Sequence, residues 1–122
     1  LFEGSVWEAV MFASGQTLDN LILIVDNNKI SMLDYCKNII DISPLDEKFR
    51  VFNWDARVVD GHDIEEVYNS LKMLKEEKRN QPKVLIANTI KGKGVPRLEK
   101  DALCHIQSLK EEEVEAAIEG LK

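Results

Sequence analysis

The stretch Leu21-Ile22-Leu23-Ile24-Val25-Asp26-Asn27-Asn28-Lys29-Ile30 constrains this chain more than any other, because five aliphatic residues end abruptly in an acid and two carboxamides. A short unbroken apolar run of this kind reads as a buried strand of a parallel sheet. Open α/β sheets bind their ligands at the carboxyl ends of the strands, so the polar end of the run is a candidate site.

The bulk properties narrow the function classes. With 122 residues, 44% of them hydrophobic, the chain makes one modest domain with a real core. Sixteen basic against twenty-two acidic residues leave a net charge of -6, which disfavours nucleic acid as a partner, since duplex binding needs clustered Lys and Arg. No apolar run approaches the roughly 20 residues of a membrane-spanning helix, so no membrane partner is expected. Cys36 and Cys104 are the only cysteines, which fits a reducing cytoplasm better than a disulfide-built secreted domain. No signal peptide pattern is visible. The chain starts at Leu1 and is inside a helical pattern by Glu3, so it reads as a piece of something longer.

Helical and strand patterns alternate along the chain. Val6, Ala9, Val10 and Ala13 recur at spacings of three and four, predicting a helix from Glu3 to about Ser14, ended by Gly15. A strand follows over Asn20 to Asp26, then an irregular stretch from Asn27 to Ile42. Ser43-Pro44-Leu45-Asp46 places a capping hydroxyl before a proline at the first helical position, predicting a short helix to about Phe52. Arg57-Val58-Val59 predicts a short strand closed by the turn pair Asp60-Gly61. Asp63 with Glu66 resembles a capping box, and Ile64, Val67, Leu71 and Leu74 line one face of a helix to about Lys78. Lys83 to Asn88 is a second aliphatic strand, and after a Gly-rich loop Ser108 with Glu111 is expected to cap a last helix. The alternation predicts an α/β fold, a parallel sheet with helices on both faces.

Four features could carry chemistry, and each has a plain alternative. The carboxamides of Asn27 and Asn28, with a backbone carbonyl just beyond, could serve a hard divalent cation such as magnesium or calcium; two asparagines after a strand also simply make turns. Lys91-Gly92-Lys93-Gly94 could hold a phosphate, because glycines admit close backbone approach and lysine brings a mobile charge; it lacks the spacing of a Walker motif and also reads as a basic surface turn. His62 sits at a strand-to-helix turn, where a structural role suffices, and His105 lies in an irregular segment beside Cys104, an adjacency that makes a poor nucleophile and base pair. Glu3 and Glu8 flank Trp7 on the first helix; the helix dipole accounts for Glu3 but not for Glu8, and an aromatic with two acids also suits a subunit interface.

The order of these blocks carries more than any one of them. Glu3-Gly4-Ser5-Val6-Trp7-Glu8-Ala9, Leu18-Asp19-Asn20-Leu21, Val25-Asp26-Asn27-Asn28-Lys29-Ile30, Val59-Asp60-Gly61-His62-Asp63 and Thr89-Ile90-Lys91-Gly92-Lys93-Gly94 together resemble the thiamin-diphosphate-binding half of transketolase, from Glu3 to His105. The resemblance implies a thiamin-diphosphate-binding fold, with residues 1–122 forming part of a single diphosphate-side domain truncated at its N-terminus. It implies that Asn28 ligates magnesium through its side chain and touches the diphosphate, that Ile30 ligates through its backbone carbonyl, and that Lys91 contacts the cofactor. His105 matches a histidine facing the diphosphate and the substrate, where it exchanges protons or holds the donor's hydroxyl. Glu3 and Glu8 match acids packed at a dimer interface. The implied enzyme moves a two-carbon ketol unit from a ketose phosphate to an aldose phosphate with the cofactor as electron sink. Its implied partners are a pyrimidine-binding domain or subunit, in a homodimer or two-chain assembly, and sugar phosphates.

The chain also departs from the family pattern. Leu1 stands one or two residues after the expected Gly-Asp-Gly, so the aspartate that completes the metal shell is expected upstream and the piece alone is expected to be inactive. Cys104 and Ile106 flank His105 where the family usually has tryptophan and glycine. Deoxyxylulose-phosphate synthases and 2-oxo acid dehydrogenases share the cofactor motif, but Glu3 to Ala9 and Leu18 to Leu21 favour transketolase. A non-catalytic module that keeps the fold is the alternative from another class, with Ile106 as its support.

Overall fold

The computed structural model describes residues 1–99 and 101–121, which divide into two compact units. The first comprises residues 1–27 and 42–88, the second residues 28–41 together with the chain from Thr89 onward.

The first unit is built on a three-stranded parallel sheet of β1 (Ile22–Asn27), β4 (Asp55–Asp60) and β5 (Lys83–Asn88), in the order β1-β5-β4. β5 is the central strand, and Lys83 to Ala87 are all buried. Their side chains alternate between faces, as any strand's do. Val84 and Ile86 join a core with Val10 and Ala13 of α1 (Gly4–Gly15) and with Leu45 and Phe49 of α3 (Leu45–Val51). Leu85 and Ala87 meet Leu74, Leu71 and Val67 of α4 (Ile64–Glu76) on the other face. The expected architecture, a parallel sheet with helices on both faces, is therefore what the chain forms.

The aliphatic run from Leu21 to Val25 has a different place from the one its composition suggests. β1 is an edge strand among the described residues, and only Val25 of it is buried, while Ile24 is 58% exposed. An apolar run identifies a strand, but burial depends on neighbours, and α4 reaches only the Ile22 end of β1.

An aromatic group closes the α1 face. Phe49 packs between Trp7, tilted against it, and Trp54, edge-on to it, with ring centroids 5.6 Å apart in both pairs. The buried indole of Trp54 donates to the Val10 carbonyl at 3.0 Å, and that of Trp7 donates to the Leu1 carbonyl at 3.0 Å. A buried indole N–H costs free energy unless bonded, so the Trp54 bond, which joins α1 to the residue before β4, helps set where α1 lies on the sheet. The half-buried Trp7 ties the chain's first residue to α1.

Several helix ends differ from expectation. α1 includes Gly15 as its last residue, and Ala9 is exposed. The N-cap of α3 is Pro44 in extended conformation with no side-chain bond, so Ser43 does not cap it; the Ser43 carbonyl instead accepts from Lys48 Nζ at 2.8 Å. Asp63 does cap α4, accepting the Glu66 N–H at 3.0 Å, but the Glu66 carboxylate reaches back to the Asp60 N–H at 2.9 Å, because the Asp60-Gly61-His62 turn brings that donor within range. Ile64, placed on the buried face by periodicity, is 84% exposed; it is the first residue of α4 and packs with neither core cluster.

The second unit contains a short hairpin, β2 (Ile30–Ser31) with β3 (Asp34–Tyr35), followed by α2 (Cys36–Ile39), where the sequence shows no repeat. α5 (Pro96–Glu99) and α6 (Glu111–Gly120) complete it. Ser108 does not cap α6: its N-cap is Lys110, whose N–H is accepted by Glu113 at 2.8 Å. That bond, with Arg97 beside it, holds the Glu113 carboxyl below the usual range. Cys36 and Cys104 are free thiols, and among the described residues no helix is long and apolar enough to cross a membrane.

Two outcomes test these contacts. Replacing Trp54 with Phe keeps most of the ring but leaves the Val10 carbonyl without its donor, and should lower stability by about 1 to 3 kcal/mol in urea unfolding; no change would show that the bond does not hold α1. Glu77 accepts from Arg57 at 2.7 Å, and this bond, more than the charge of Arg79, lowers its carboxyl from 4.5. A lowered folded value means that the pair's contribution is complete above about pH 4.5 and fades as pH falls through the folded value. The gap in thermal midpoint between parent and Glu77→Gln should therefore narrow as pH drops from about 6 to about 3, and a gap that widens would contradict the pairing.

Candidate functional site

Parallel pairing without offset brings the three strand ends level. Asn27 of β1, Asn88 of β5 and Asp60 of β4 are cross-strand partners, so the carboxyl edge of the sheet carries a row of three polar residues. Asn27 Nδ2 donates to Asn88 Oδ1 at 2.9 Å, and the Asn88 carbonyl accepts the Gly61 N–H at 2.8 Å. Asp60 Oδ1 accepts the His62 N–H at 2.9 Å, which ties His62 into the turn that starts α4, as the structural reading of that histidine expects. Asn27 is thus committed to tying two strand ends together. Asn88 and Asp60 are not among the residues that the sequence marks as candidates, although each strand run ends in a polar residue.

The residue after β1 does something different. Asn28 Oδ1 accepts the Ile30 N–H at 2.9 Å, an Asx turn, and between them Lys29 adopts a left-handed backbone with φ of 64°. A lysine there costs about 1 kcal/mol or more relative to glycine, and such strain persists where surroundings hold it. Here the Lys29 carbonyl is held by the Cys36 N–H at 2.9 Å, which locks the turn to the hairpin. The carboxamide oxygen of Asn28 and the backbone of Ile30 are therefore fixed within one turn. Among the described residues no group of three His, Cys, Asp or Glu side chains is placed to hold a metal ion, so an ion here would rely on neutral carboxamide and carbonyl oxygens plus oxygens brought by a ligand. That donor set fits magnesium or calcium, which take oxygen ligands and share them with phosphates, and not zinc.

The Gly-rich loop has its own explanation. Gly92 and Gly94 have φ of 75° and 93°, and a Cβ at Gly92 would lie 2.6 Å from Leu98 Cβ. The glycines are required by backbone shape and packing. The loop does face an anion, since the Gly94 N–H donates to Glu99 Oε1 at 2.8 Å, but that anion belongs to the chain. Lys91, half-buried, and His105, exposed, lie in the same compact unit as Asn28 and Ile30. Glu3 is the extended N-cap of α1 without a side-chain bond, and Glu8 is exposed on that helix. Trp7 is turned inward onto Phe49, so the aromatic whose type suits an interface is used in the core.

Known proteins share both the sequence and the fold. The family model described as "Transketolase, thiamine diphosphate binding domain" matches residues 1–121. An apulose-4-phosphate transketolase subunit of Actinobacillus succinogenes is 39% identical over 122 residues, covering 100% of this chain and 44% of that protein. The 6-deoxy-6-sulfo-D-fructose transketolase subunit of a Clostridium species is 38% identical over 120 residues, covering 98% of this chain and 43% of that protein. The chain thus spans less than half the length of these relatives. The crystal structure of transketolase from Campylobacter jejuni superposes with a TM-score of 0.86 at 31% identity, over 98% of this chain and 18% of that one. By sequence and by fold, this chain belongs to the transketolase family, and the match to its thiamine diphosphate binding domain runs over residues 1–121.

Proposed function

We propose that this chain is the diphosphate-side part of a transketolase-like enzyme that transfers a two-carbon ketol unit from a ketose phosphate to an aldose phosphate, with thiamin diphosphate and magnesium or calcium. The observation that carries the reading is the Asx turn, which holds the Asn28 oxygen and the Ile30 backbone together immediately after β1. In this reading Asn28 Oδ1 and the Ile30 carbonyl would hold the metal, and Lys91 would neutralise diphosphate charge. Thiamin diphosphate, when bound, supplies a carbon nucleophile and an electron sink. His105 holds the donor's hydroxyl and moves a proton at that oxygen, a role that its exposed position leaves open to a sugar.

The remaining assignments extend the same reading. Residues 1–122 form part of one cofactor-binding domain. A pyrimidine-binding domain or second subunit completes the site, and the names of the two relatives, each a transketolase subunit, support a two-chain form. Glu3, exposed at the N-cap of α1, and Glu8, exposed on it, face a dimer partner. A cytoplasmic enzyme of the pentose phosphate pathway completes this reading, which rests on the family match.

In the intact protein with its partner, calorimetry should record magnesium-dependent binding of thiamin diphosphate. Asn28→Ala should weaken it about tenfold or more, and unchanged affinity would sink the ligand assignment. Replacing His105 with Ala should cut ketol transfer by about a hundredfold while leaving cofactor affinity within about twofold. Full turnover in that variant would show that His105 takes no part.

A further inference from the structure

The amino-terminal edge of the sheet, opposite the row of Asn27, Asn88 and Asp60, carries a second polar site. A cavity of 240 Å³ there is lined by Asp19, Asn20, Ile22, Lys75, Lys78 and Lys83, all within the first compact unit. Lys83 begins the central strand and lies on the α4 face, since it shares the side of Leu85 and Ala87. It is the only charged residue buried among the described residues, at 2% exposure. Lysine is almost never fully buried unless paired, because losing the hydration of an ammonium is costly.

Lys83 has no such pair. Its backbone N–H bonds the Leu21 carbonyl, but its side chain makes no hydrogen bond or ion pair among the described residues. The carboxylates nearby make no ion pair with it. Glu77 Oε2 is held by Arg57 at 2.7 Å and by Arg79 at 3.2 Å, and Lys83 acts on it only through its charge. Asp55, the cross-strand partner of Lys83, has a buried Oδ2 that makes no hydrogen bond and lies 3.6 Å from Arg79. Lys75 and Lys78 likewise make no ion pair among the described residues. The C-terminal end of α4 favours one cation nearby, which accounts for Lys75 but not for a buried lysine facing the same cavity. Three lysines thus line one small cavity with a single acidic residue, Asp19, in a protein whose net charge is -6.

We infer that this cavity binds a tetrahedral oxyanion, either inorganic phosphate or the phosphate of a small phosphomonoester, through Lys75, Lys78 and Lys83. The volume is smaller than that of sites for drug-sized ligands, so the ligand is a phosphate group with at most a few carbons. Asn20 supplies a carboxamide donor, and Asp19 repels an anion placed on its side, so the anion lies toward the lysines.

The test titrates the intact protein, saturated with thiamin diphosphate and magnesium, with inorganic phosphate and separately with glycerol 3-phosphate, at ionic strength held constant with chloride. The expected result is saturable millimolar binding by calorimetry, weakened at least about tenfold by the double substitution Lys75→Ala with Lys78→Ala and unchanged by Lys72→Ala, an exposed lysine of α4 outside the cavity. Both substituted lysines are exposed, so their removal leaves the core intact; Lys83→Met should also abolish binding where that variant folds. Tighter binding of glycerol 3-phosphate identifies a phosphomonoester ligand, and exclusion of it identifies free phosphate. Absence of binding beyond the chloride control, or full affinity in the Lys75/Lys78 variant, overturns the inference. Because cofactor binding is measured separately, through Asn28→Ala, that failure leaves the cofactor-site reading untouched.

Discussion

The central strand β5 is what the first unit depends on. It is buried on both faces and hydrogen-bonded on both edges, so its backbone has no alternative partner in water. Its alternating side chains create two separate cores, one with α1 and α3 and one with α4. Because β1 and β4 pair with it without offset, their carboxyl ends stop at the same level, and Asn27, Asn88 and Asp60 form a row. A shift of one residue in either pairing would turn that strand's side chains to the wrong face, so packing alone enforces the alignment.

The two edges of this sheet differ in chemistry. The carboxyl edge is organised by carboxamides and turns, with Asn27 bonded to Asn88 and the Asx turn at Asn28 following directly. Neutral oxygens of this kind suit a hard cation whose charge is balanced by a phosphorylated ligand. The amino edge is organised by cations instead, with Arg57 and Arg79 occupying the carboxylates and leaving Lys83 buried without one. Burying a charge that the chain itself does not pair favours any ligand that brings the opposite charge.

How much is legible in the sequence follows from the range of the interactions. Strand β5 and the helices α1 and α4 are set by apolar period and local caps, and their bounds differ from expectation by at most two residues. The hairpin β2–β3 is not legible, because two-residue strands have no period to detect. Ser43 and Ser108 are of the right residue type for caps, but the helices begin later, where Pro44 and Lys110 stand. Asn28 is legible as a candidate from its place after an apolar strand. Asn88 and Asp60 are not, since their significance is a register relation between strands far apart in the chain.

The sequence by itself determined that this is an α/β chain, where its first aliphatic strand ends, and, through the order of its motif blocks, which family it belongs to. These properties reside in nearest neighbours and in spacing. Only the tertiary structure decided that β5 rather than β1 is the buried strand, that Trp7 serves the core, that the glycines of the Lys91 loop answer to Leu98, and that Lys83 is buried without a partner. Burial and pairing are properties of what lies across the fold, and no residue's identity states what will be packed against it.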